Sequence, residues 1–195
     1  DEKIGVFTAQ ATDIRKTHAS IEQMLRIPKE RSFLGELGLE TLLSDQFPPS
    51  MFGIRKRISD GKVPDAYIRS PVGFICIDSK FPLDNYRNMV ESQDPKDAET
   101  FKRLFFRDVQ GHLDKIAEDY VSPADGSAEF AFAYIPSEAI YYFLVSDAYD
   151  MLLNSVKRGV QVVSPLTLSH KVQLIKTGLH AISLSQNANK VQEHL

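Results

Sequence analysis

Three side chains that could carry out chemistry lie close together in the segment GKVPDAYIRSPVGFICIDSKFPL, residues 61–83. Asp78 and Lys80 close an apolar run, FICIDSK, that is typical of a β-strand, and Asp65 follows a proline at the start of a second such run. Side chains of a strand alternate between its faces, so Asp78 and Lys80 project to one face. Because charged groups are rarely buried without partners, the segment predicts either a salt bridge at the rim of a sheet or a site for a cation.

The distance between Asp65 and Asp78 depends on the turn that joins the two runs. Ser70-Pro71-Val72-Gly73 has the residues that a type I turn prefers. A two-residue loop at 71–72 places Asp65 directly opposite Asp78, whereas a type I turn with a bulge at Gly73, which the turn chemistry favours, shifts the pairing by one residue. The sequence leaves this register open, but both versions keep the two carboxyl groups near each other.

Two neighbouring carboxylates need a compensating charge. At a separation of about 4 Å they repel by roughly 4 kcal/mol at an effective dielectric constant of about 20. The pair must protonate, move apart or bind a cation, and oxygen ligands beside solvent suit Mg²⁺ or Mn²⁺. Such an ion next to a lysine can promote hydrolysis of a phosphodiester. From the residues alone, this hypothesis and a structural salt bridge at the end of a hairpin are equally open.

The elements that must position these residues can be predicted from periodicity and turn signals. We expect a helix from Ser32 through FLGELGLETLL, three short strands beginning with MFGIRKRI, a long helix over 94–121, a strand over 129–136, a helix over 137–159, a strand at VQVVSP and a final helix from about residue 166. This order predicts an α/β (α+β) fold in which a mixed central sheet is flanked by helices. We assign residues 32–185 to this domain and residues 186–195 to a polar C-terminal tail.

Residues 1–28 are predicted to form a separate long helix that ends at Pro28. Its apolar stripe has the three- and four-residue steps of a heptad repeat and consists of Ile4, Phe7, Ala11, Ile14, His18, Ile21 and Leu25. The pattern is compatible with a helix that lies on its own domain and with the tail of a coiled coil, which would join copies of the chain into a homo-oligomer.

Composition limits the function classes. A chain of 195 residues that is 43% hydrophobic can bury one sizeable core. Its formal net charge of -3 counts mildly against a nucleic-acid binder but does not exclude an enzyme that concentrates basic side chains in one cleft. No glycine-rich phosphate loop or nucleophile elbow is present, so we expect no small-molecule cofactor.

The single cysteine, Cys76, excludes an intrachain disulfide and predicts a reducing, cytoplasmic location. No stretch approaches the roughly 18 apolar residues that span a bilayer, so this segment is not expected to enter a membrane. The sequence begins at Asp1 rather than at a methionine, and we therefore expect a piece of a longer protein, which leaves room for an N-terminal membrane anchor ahead of it.

Five blocks together resemble the RmuC family of bacterial DNA-recombination proteins in order and spacing: LGELGLETLL, VPDAYI, FICIDSKFPLDNY, AYIPSEA and VQVVSPLTL. The resemblance covers residues 33–168. It implies a PD-(D/E)xK nuclease core with the restriction-endonuclease-like αβββαβ order, placed after a coiled coil. It also implies DNA as the partner and a role in limiting DNA rearrangements such as inversions by cleaving DNA.

The resemblance also assigns roles to residues. Asp65 and Asp78 would ligate Mg²⁺ or Mn²⁺ together with the backbone carbonyl of Ser79, and Lys80 would orient or activate the attacking water. Glu36 would supply a further carboxylate from the first helix of the domain. Two supporting candidates are Glu40, which shares a helix face with Glu36, and Tyr86.

The sequence departs from the family pattern at Glu118, where the family has a lysine two positions before the tyrosine that ends the helix. Loss of that lysine would weaken binding to DNA phosphates. The remaining candidate DNA contacts are Arg55, Lys56, Arg57, Arg69 and Lys102. The histidines at 112, 170 and 180 have no metal-ligand spacing and are assigned no chemistry. The acidic net charge and Glu118 support an alternative, a DNA- or protein-binding scaffold that keeps the fold without cleaving.

Overall fold

The computed structural model describes residues 31–58 and 61–192, with side chains for residues 38–58 and 61–185. The predicted N-terminal helix over 1–28 and its heptad stripe lie outside these residues. Among the described helices, none combines the length and the apolar character needed to cross a membrane.

A five-stranded sheet forms the centre of the domain, and its strands are adjacent in chain order. The strands are β1 (Phe52–Ile54), β2 (Ala66–Ser70), β3 (Gly73–Asp78), β4 (Ala131–Tyr134) and β5 (Val160–Val163). The first three pair antiparallel, and β3, β4 and β5 pair parallel. The predicted mixed central sheet flanked by helices is therefore confirmed.

Six described α-helices and one 3-10 turn surround the sheet. They are α1 (Arg31–Gln46), α2 (Asp84–Glu91), α3 (Pro95–Tyr120), the turn Pro123–Asp125, α4 (Glu138–Asp147), α5 (Tyr149–Lys157) and α6 (Pro165–Gln192). The long α3 begins where the sequence predicts, because the side chain of Asp94 accepts a hydrogen bond from the amide of Lys96 and caps the helix.

Several predicted boundaries differ from the structure. The helix predicted over 137–159 is two helices, because Ala148 leaves the helical conformation at φ -136° and ψ 32° and caps both. The predicted cap Ser32 already lies inside α1, and the short helix α2 was not predicted. The basic residues after Ile54 lie outside β1. Helix α6 continues to Gln192, so the predicted tail boundary at 185/186 falls within a helix.

Each face of the sheet has its own apolar layer. Helices α1 and α6 cover one face with Leu39, Leu43, Leu168 and Val172, which pack against Ile77 and its neighbours. The longer α3, with α2, α4 and α5, covers the opposite face through residues that include Phe105, Val109, Leu113, Ile116, Ile140 and Leu144. All four residues of β4 are buried, as expected of a strand with helices on both sides. Alternate residues of β2 and β3 therefore face different layers.

The β2–β3 hairpin has the register of a two-residue loop, with Ser70 opposite Gly73. The bulge that the turn chemistry favoured is absent, so that prediction is wrong. Gly73 does adopt a positive φ of 115°, but it pairs directly with Ser70, whose hydroxyl donates to the carbonyl of Gly73 at 2.7 Å. A Cβ on Gly73 would lie 2.7 Å from the carbonyl oxygen of Gly126, and the amide of Phe74 donates to that same oxygen at 3.0 Å. The turn of the hairpin is therefore packed against a distant segment of the chain.

Candidate active site at the open end of the hairpin

The two predicted acids meet at the open end of the hairpin. The last paired rung joins Ala66 to Ile77, and Asp65 and Asp78 lie one residue further along each strand. Their side chains project to the α3 side, because the alternate neighbours Tyr67 and Cys76 belong to the apolar layer on that face. The structure thus brings Asp65, Asp78 and Lys80 together on one side of the sheet.

Asp65 is held by hydrogen bonds from the protein. Its side chain is only 3% exposed, and its Oδ2 accepts from the amide of Ser79 at 2.8 Å and from the Ser79 hydroxyl at 2.9 Å. The ammonium of Lys80 lies 3.3 Å from its Oδ1. Donors that favour the charged form offset the cost of burying a carboxylate, so Asp65 is fixed in position.

Asp78 is less well compensated. Its Oδ1 accepts one hydrogen bond, from the amide of Lys80 at 3.1 Å, and lies 3.4 Å from Nε2 of His112. Burial, followed by the charge of Asp65, raises the pKa of Asp78, and His112 and Lys80 only partly oppose this. The negative charge of Asp78 is therefore unfavourable in the folded protein, and a cation or a proton near it would be stabilising.

His112, to which the sequence assigned no chemistry, belongs to the site. Its ring packs edge-on against Phe81 with centroids 5.7 Å apart, and its buried Nε2 makes no hydrogen bond to any residue that the structure describes. Burial lowers the pKa of His112, Asp78 acts to raise it, and Lys115 lowers it further. One sequence signal could have found it: His112 occupies an apolar position of α3, in the three- and four-residue spacing of Phe105, Val109 and Ile116.

The lowered pKa of His112 predicts a pH dependence of stability. The unfolded chain binds a proton at this residue more readily than the folded one, so the free energy of unfolding should fall as pH drops below about 6.5. In His112→Phe, which keeps the ring contact with Phe81, this contribution should disappear. Urea unfolding of both proteins between pH 7.5 and 5.5, with chelator present, would measure it. Parallel pH profiles for the two proteins would contradict the prediction.

An open pocket of about 300 Å³ lies between the hairpin end and α3. It is lined by Asp78, Lys80, His112, Lys115, Ile116, Asp119 and Tyr120. The hydroxyl of Tyr120 donates to the carbonyl of Val63 at 3.4 Å, and Lys62 lies 4.0 Å from Asp119, so the segment before Asp65 closes one side of the pocket. Burial and the nearby acids, Asp78 first among them, raise the pKa of Tyr120, which keeps its hydroxyl protonated.

The predicted metal ligand Glu36 and the supporting candidate Glu40 are both on α1. The side chain of Glu36 lies outside the part of the chain whose side chains are described. Glu40 is exposed, on a helix that packs against the other face of the sheet. Tyr86 packs in the aromatic core, with its ring centroid 5.1 Å from that of Phe105 and 5.5 Å from that of Phe143. Burial there raises the pKa of Tyr86 to about 12.

The predicted DNA contacts separate into two groups. Arg55, Lys56 and Arg57 are exposed in the segment after β1, and the amide of Arg55 donates to the carbonyl of Asp65 at 2.9 Å, which places this basic segment beside the acids. Arg69 and Lys102 lie elsewhere. Arg69, on β2 near the turn, covers the ring of Phe74 at 5.1 Å, and Lys102 forms an ion pair with Asp147 at 2.5 Å.

The donor atoms present are compatible with a hard divalent cation. Within the described residues there is no group of three histidine, cysteine or acidic side chains that could hold a metal ion. Mg²⁺, however, binds through as few as one or two carboxylates and keeps several of its waters. The Asp65–Asp78 pair can supply these carboxylates. The carbonyl of Ser79 accepts from the amide of Phe81 at 3.0 Å, and a carbonyl has a second lone pair for a ligand.

Comparison with known proteins places the chain in a family. A family model described as the RmuC family matches residues 1–195, the whole length of the sequence. The chain belongs to the RmuC family. No solved structure matches it.

Curated RmuC proteins are distant relatives of this chain. It is 25% identical over 133 residues to the "DNA recombination protein RmuC homolog" of Yersinia pestis, covering 67% of this chain and 28% of that protein. It is 20% identical over 185 residues to the homolog of Xylella fastidiosa strain Temecula1, covering 88% of this chain and 40% of that protein. It is 23% identical over 133 residues to the "DNA recombination protein RmuC" of Escherichia coli K12, covering 67% of this chain and 28% of that protein. The chain thus spans well under half the length of these RmuC relatives.

Proposed function

We propose that this chain is the metal-dependent nuclease domain of a RmuC-type DNA recombination protein and hydrolyses phosphodiester bonds in DNA. The observation that carries the proposal is the convergence of Asp65, Asp78 and Lys80 at one end of a hairpin, beside an open pocket. The names of the curated relatives support DNA as the substrate. The order helix, three strands, the helices α2 and α3, strand supports a restriction-endonuclease-like αβββαβ core of the PD-(D/E)xK type, with α3 as its second helix.

The proposed roles follow from the surroundings of each group. Asp78, whose charge is poorly compensated, and Asp65, which is fixed by Ser79, would hold Mg²⁺ or Mn²⁺, with the Ser79 carbonyl as a further ligand. The ion would supply Lewis-acid activation of a water and neutralise phosphate charge. Lys80 is 69% exposed, so its ammonium can move between Asp65 and a substrate phosphate, where it orients the attacking water and stabilises developing charge.

Four further assignments complete the proposal. Glu36, on the first helix of the domain, is proposed as an additional metal ligand on the basis of the family resemblance; Glu40, exposed on a helix at the other face of the sheet, is not assigned this role. The exposed basic segment 55–57 would contact DNA, because it lies beside Asp65. A homo-oligomer formed through residues 1–28 and a cytoplasmic location are proposed from the sequence pattern and the single cysteine.

Cleavage assays would test this function. We expect the protein to cleave linear, circular or single-stranded DNA with Mn²⁺, and Lys80→Ala to lower the rate by about 100-fold or more, because a positioned charge on the transition state is lost. Lys171→Ala is a matched control, since Lys171 is an exposed lysine on α6 at the opposite face of the sheet. Cleavage that persists in Lys80→Ala would contradict the assigned site, and no cleavage of any of these DNAs would contradict the nuclease function.

One observation favours a second candidate function, a DNA- or protein-binding scaffold without cleavage. Both oxygens of Asp65 already have partners within the protein, so this half of the acidic pair is stable without a metal ion. Calorimetric titration separates the two functions. Heat released by Mn²⁺ in the wild type but not in Asp78→Asn supports the nuclease, and negligible heat in both supports the scaffold.

A further inference from the structure

The pocket beside the acidic pair has a second wall that the proposed chemistry does not use. His112, Lys115 and Asp119 lie three and four residues apart on α3, so they share one face of the helix, and all three line the pocket. Two of these groups can bind an anion. The question is whether their charges and hydrogen bonds are already satisfied within the protein.

The charges of this wall are unevenly paired. Asp119 has Lys62 at 4.0 Å, and Lys80 has Asp65 at 3.3 Å. Lys115 forms no ion pair or hydrogen bond with the residues that the structure describes, although its charge is close enough to act on His112. The wall therefore carries one uncompensated positive charge, on an exposed side chain that can move toward a ligand.

Next to Lys115 lies an unsatisfied buried atom. Nε2 of His112 is buried against the pocket, and within the described chain it has no hydrogen-bond partner, since its separation of 3.4 Å from Asp78 lacks hydrogen-bond geometry. A buried polar atom without a partner is unfavourable, so a ligand that supplies one is stabilised by this site. A ligand that suits both groups needs a negative charge and oxygen atoms.

We propose that Lys115 and His112 bind a phosphodiester of the DNA backbone next to the one that lies at the acidic pair. This inference rests on the proposed function, because it takes the nuclease substrate as the ligand. A phosphodiester carries one negative charge, which matches the single uncompensated ammonium. Contact with phosphate alone carries no sequence information, so the pair positions DNA of any sequence over the acids.

The test measures binding without catalysis. The probe is a 5′-hydroxyl, fluorescein-labelled oligothymidylate of 12 nucleotides, in EDTA and without divalent ions, titrated at several salt concentrations. Lys115→Gln should weaken binding about fivefold at low salt and reduce the salt slope by about 0.7, the value for one lost phosphate contact on a single strand. Lys115→Arg should restore the slope. Lys171→Gln is the matched control, because Lys171 is exposed at the opposite face of the sheet.

The contribution of His112 has its own signature. His112→Phe removes the nitrogen and keeps the ring contact with Phe81, so we expect binding to weaken about threefold with an unchanged salt slope, since a hydrogen bond rather than a charge is lost. Thermal unfolding of each variant verifies that it is folded at the assay temperature.

The outcomes separate this inference from the proposed function. If Lys115→Gln matches the wild type in affinity and salt slope, or if the wild type does not bind the probe, the phosphate site is overturned. If binding depends on Lys115 but no DNA is cleaved with Mn²⁺, the phosphate site stands and the nuclease function fails. If DNA is cleaved with Mn²⁺ but binding of the probe does not depend on Lys115, the nuclease function stands and the phosphate site is overturned.

Discussion

Asp78→Asn should abolish binding of Mn²⁺ and lower DNA cleavage by about 100-fold or more, while the protein becomes no less stable. Loss of groups that merely support a metal ligand already costs roughly 10- to 100-fold, so loss of a ligand itself should cost at least the upper value. The free energy of unfolding should not fall, because burial and the charge of Asp65 make the negative charge of Asp78 unfavourable in the folded state. Asparagine removes that charge and can still accept the hydrogen bond from the amide of Lys80.

Calorimetry with Mn²⁺, cleavage rates and thermal unfolding at pH 7 would measure these three effects on one preparation. Asp84→Asn is the matched control, because the side chain of Asp84 is 96% exposed on α2. A variant that loses cleavage together with several degrees of melting temperature would contradict the prediction, since it would make Asp78 a structural residue. Unchanged metal binding in Asp78→Asn would remove Asp78 from the metal site.

Asp65→Ala should instead destabilise the fold, by about 2 kcal/mol in the free energy of unfolding. Two hydrogen bonds from Ser79 to a buried carboxylate are lost, and hydrogen bonds to charged groups contribute about 1.5–3 kcal/mol each. Relief of the repulsion with Asp78 offsets part of this loss. The ion pair with Lys80 adds little, because that lysine is largely exposed.

Urea unfolding would measure this effect, with Asp65→Asn as the comparison. Asparagine retains an oxygen that can accept both hydrogen bonds from Ser79, so its stability should lie between those of the wild type and Asp65→Ala. An alanine variant as stable as the wild type would show that the Ser79 contacts do not stabilise the fold. The two acids thus differ in their expected effect on the free energy of unfolding: Asp65 stabilises the hairpin end, and the charge of Asp78 destabilises the folded state.

Patterns with a short range in sequence predicted much of this fold. The apolar run FICID identified β3, and the alternation of side chains along a strand placed Asp78 on the same face as Phe74 and Cys76. Asp94 correctly marked the start of α3, since a capping side chain acts within its own turn. The break at Ala148 was missed, because neither glycine nor proline marks it.

Features that depend on contacts between distant segments could not be predicted. The hairpin has the two-residue register rather than the bulge that turn chemistry favoured, and Gly73 at its turn packs on residues 126–127, about fifty residues away. The apolar spacing in α3 could have singled out His112, but its position beside the acids, like that of Lys115, depends on where α3 crosses the sheet, which no spacing in the sequence encodes. For the same reason, Lys102 was a candidate DNA contact from the sequence, whereas the structure pairs it with Asp147 and places Lys115, which was not a candidate, at the pocket.

The tight hairpin turn has a consequence for how the acids come together during folding. Ala66 and Ile77, the rung beside the acids, are only 11 residues apart in sequence, whereas Ile77 and its β4 partner Phe132 are 55 apart. Closing the longer loop costs about 1.4 kcal/mol more in chain entropy for a flexible chain. The carboxylates are therefore brought together by a short, low-cost loop, whereas His112 and Lys115 come from a helix 34 and 37 residues beyond Asp78 in the chain.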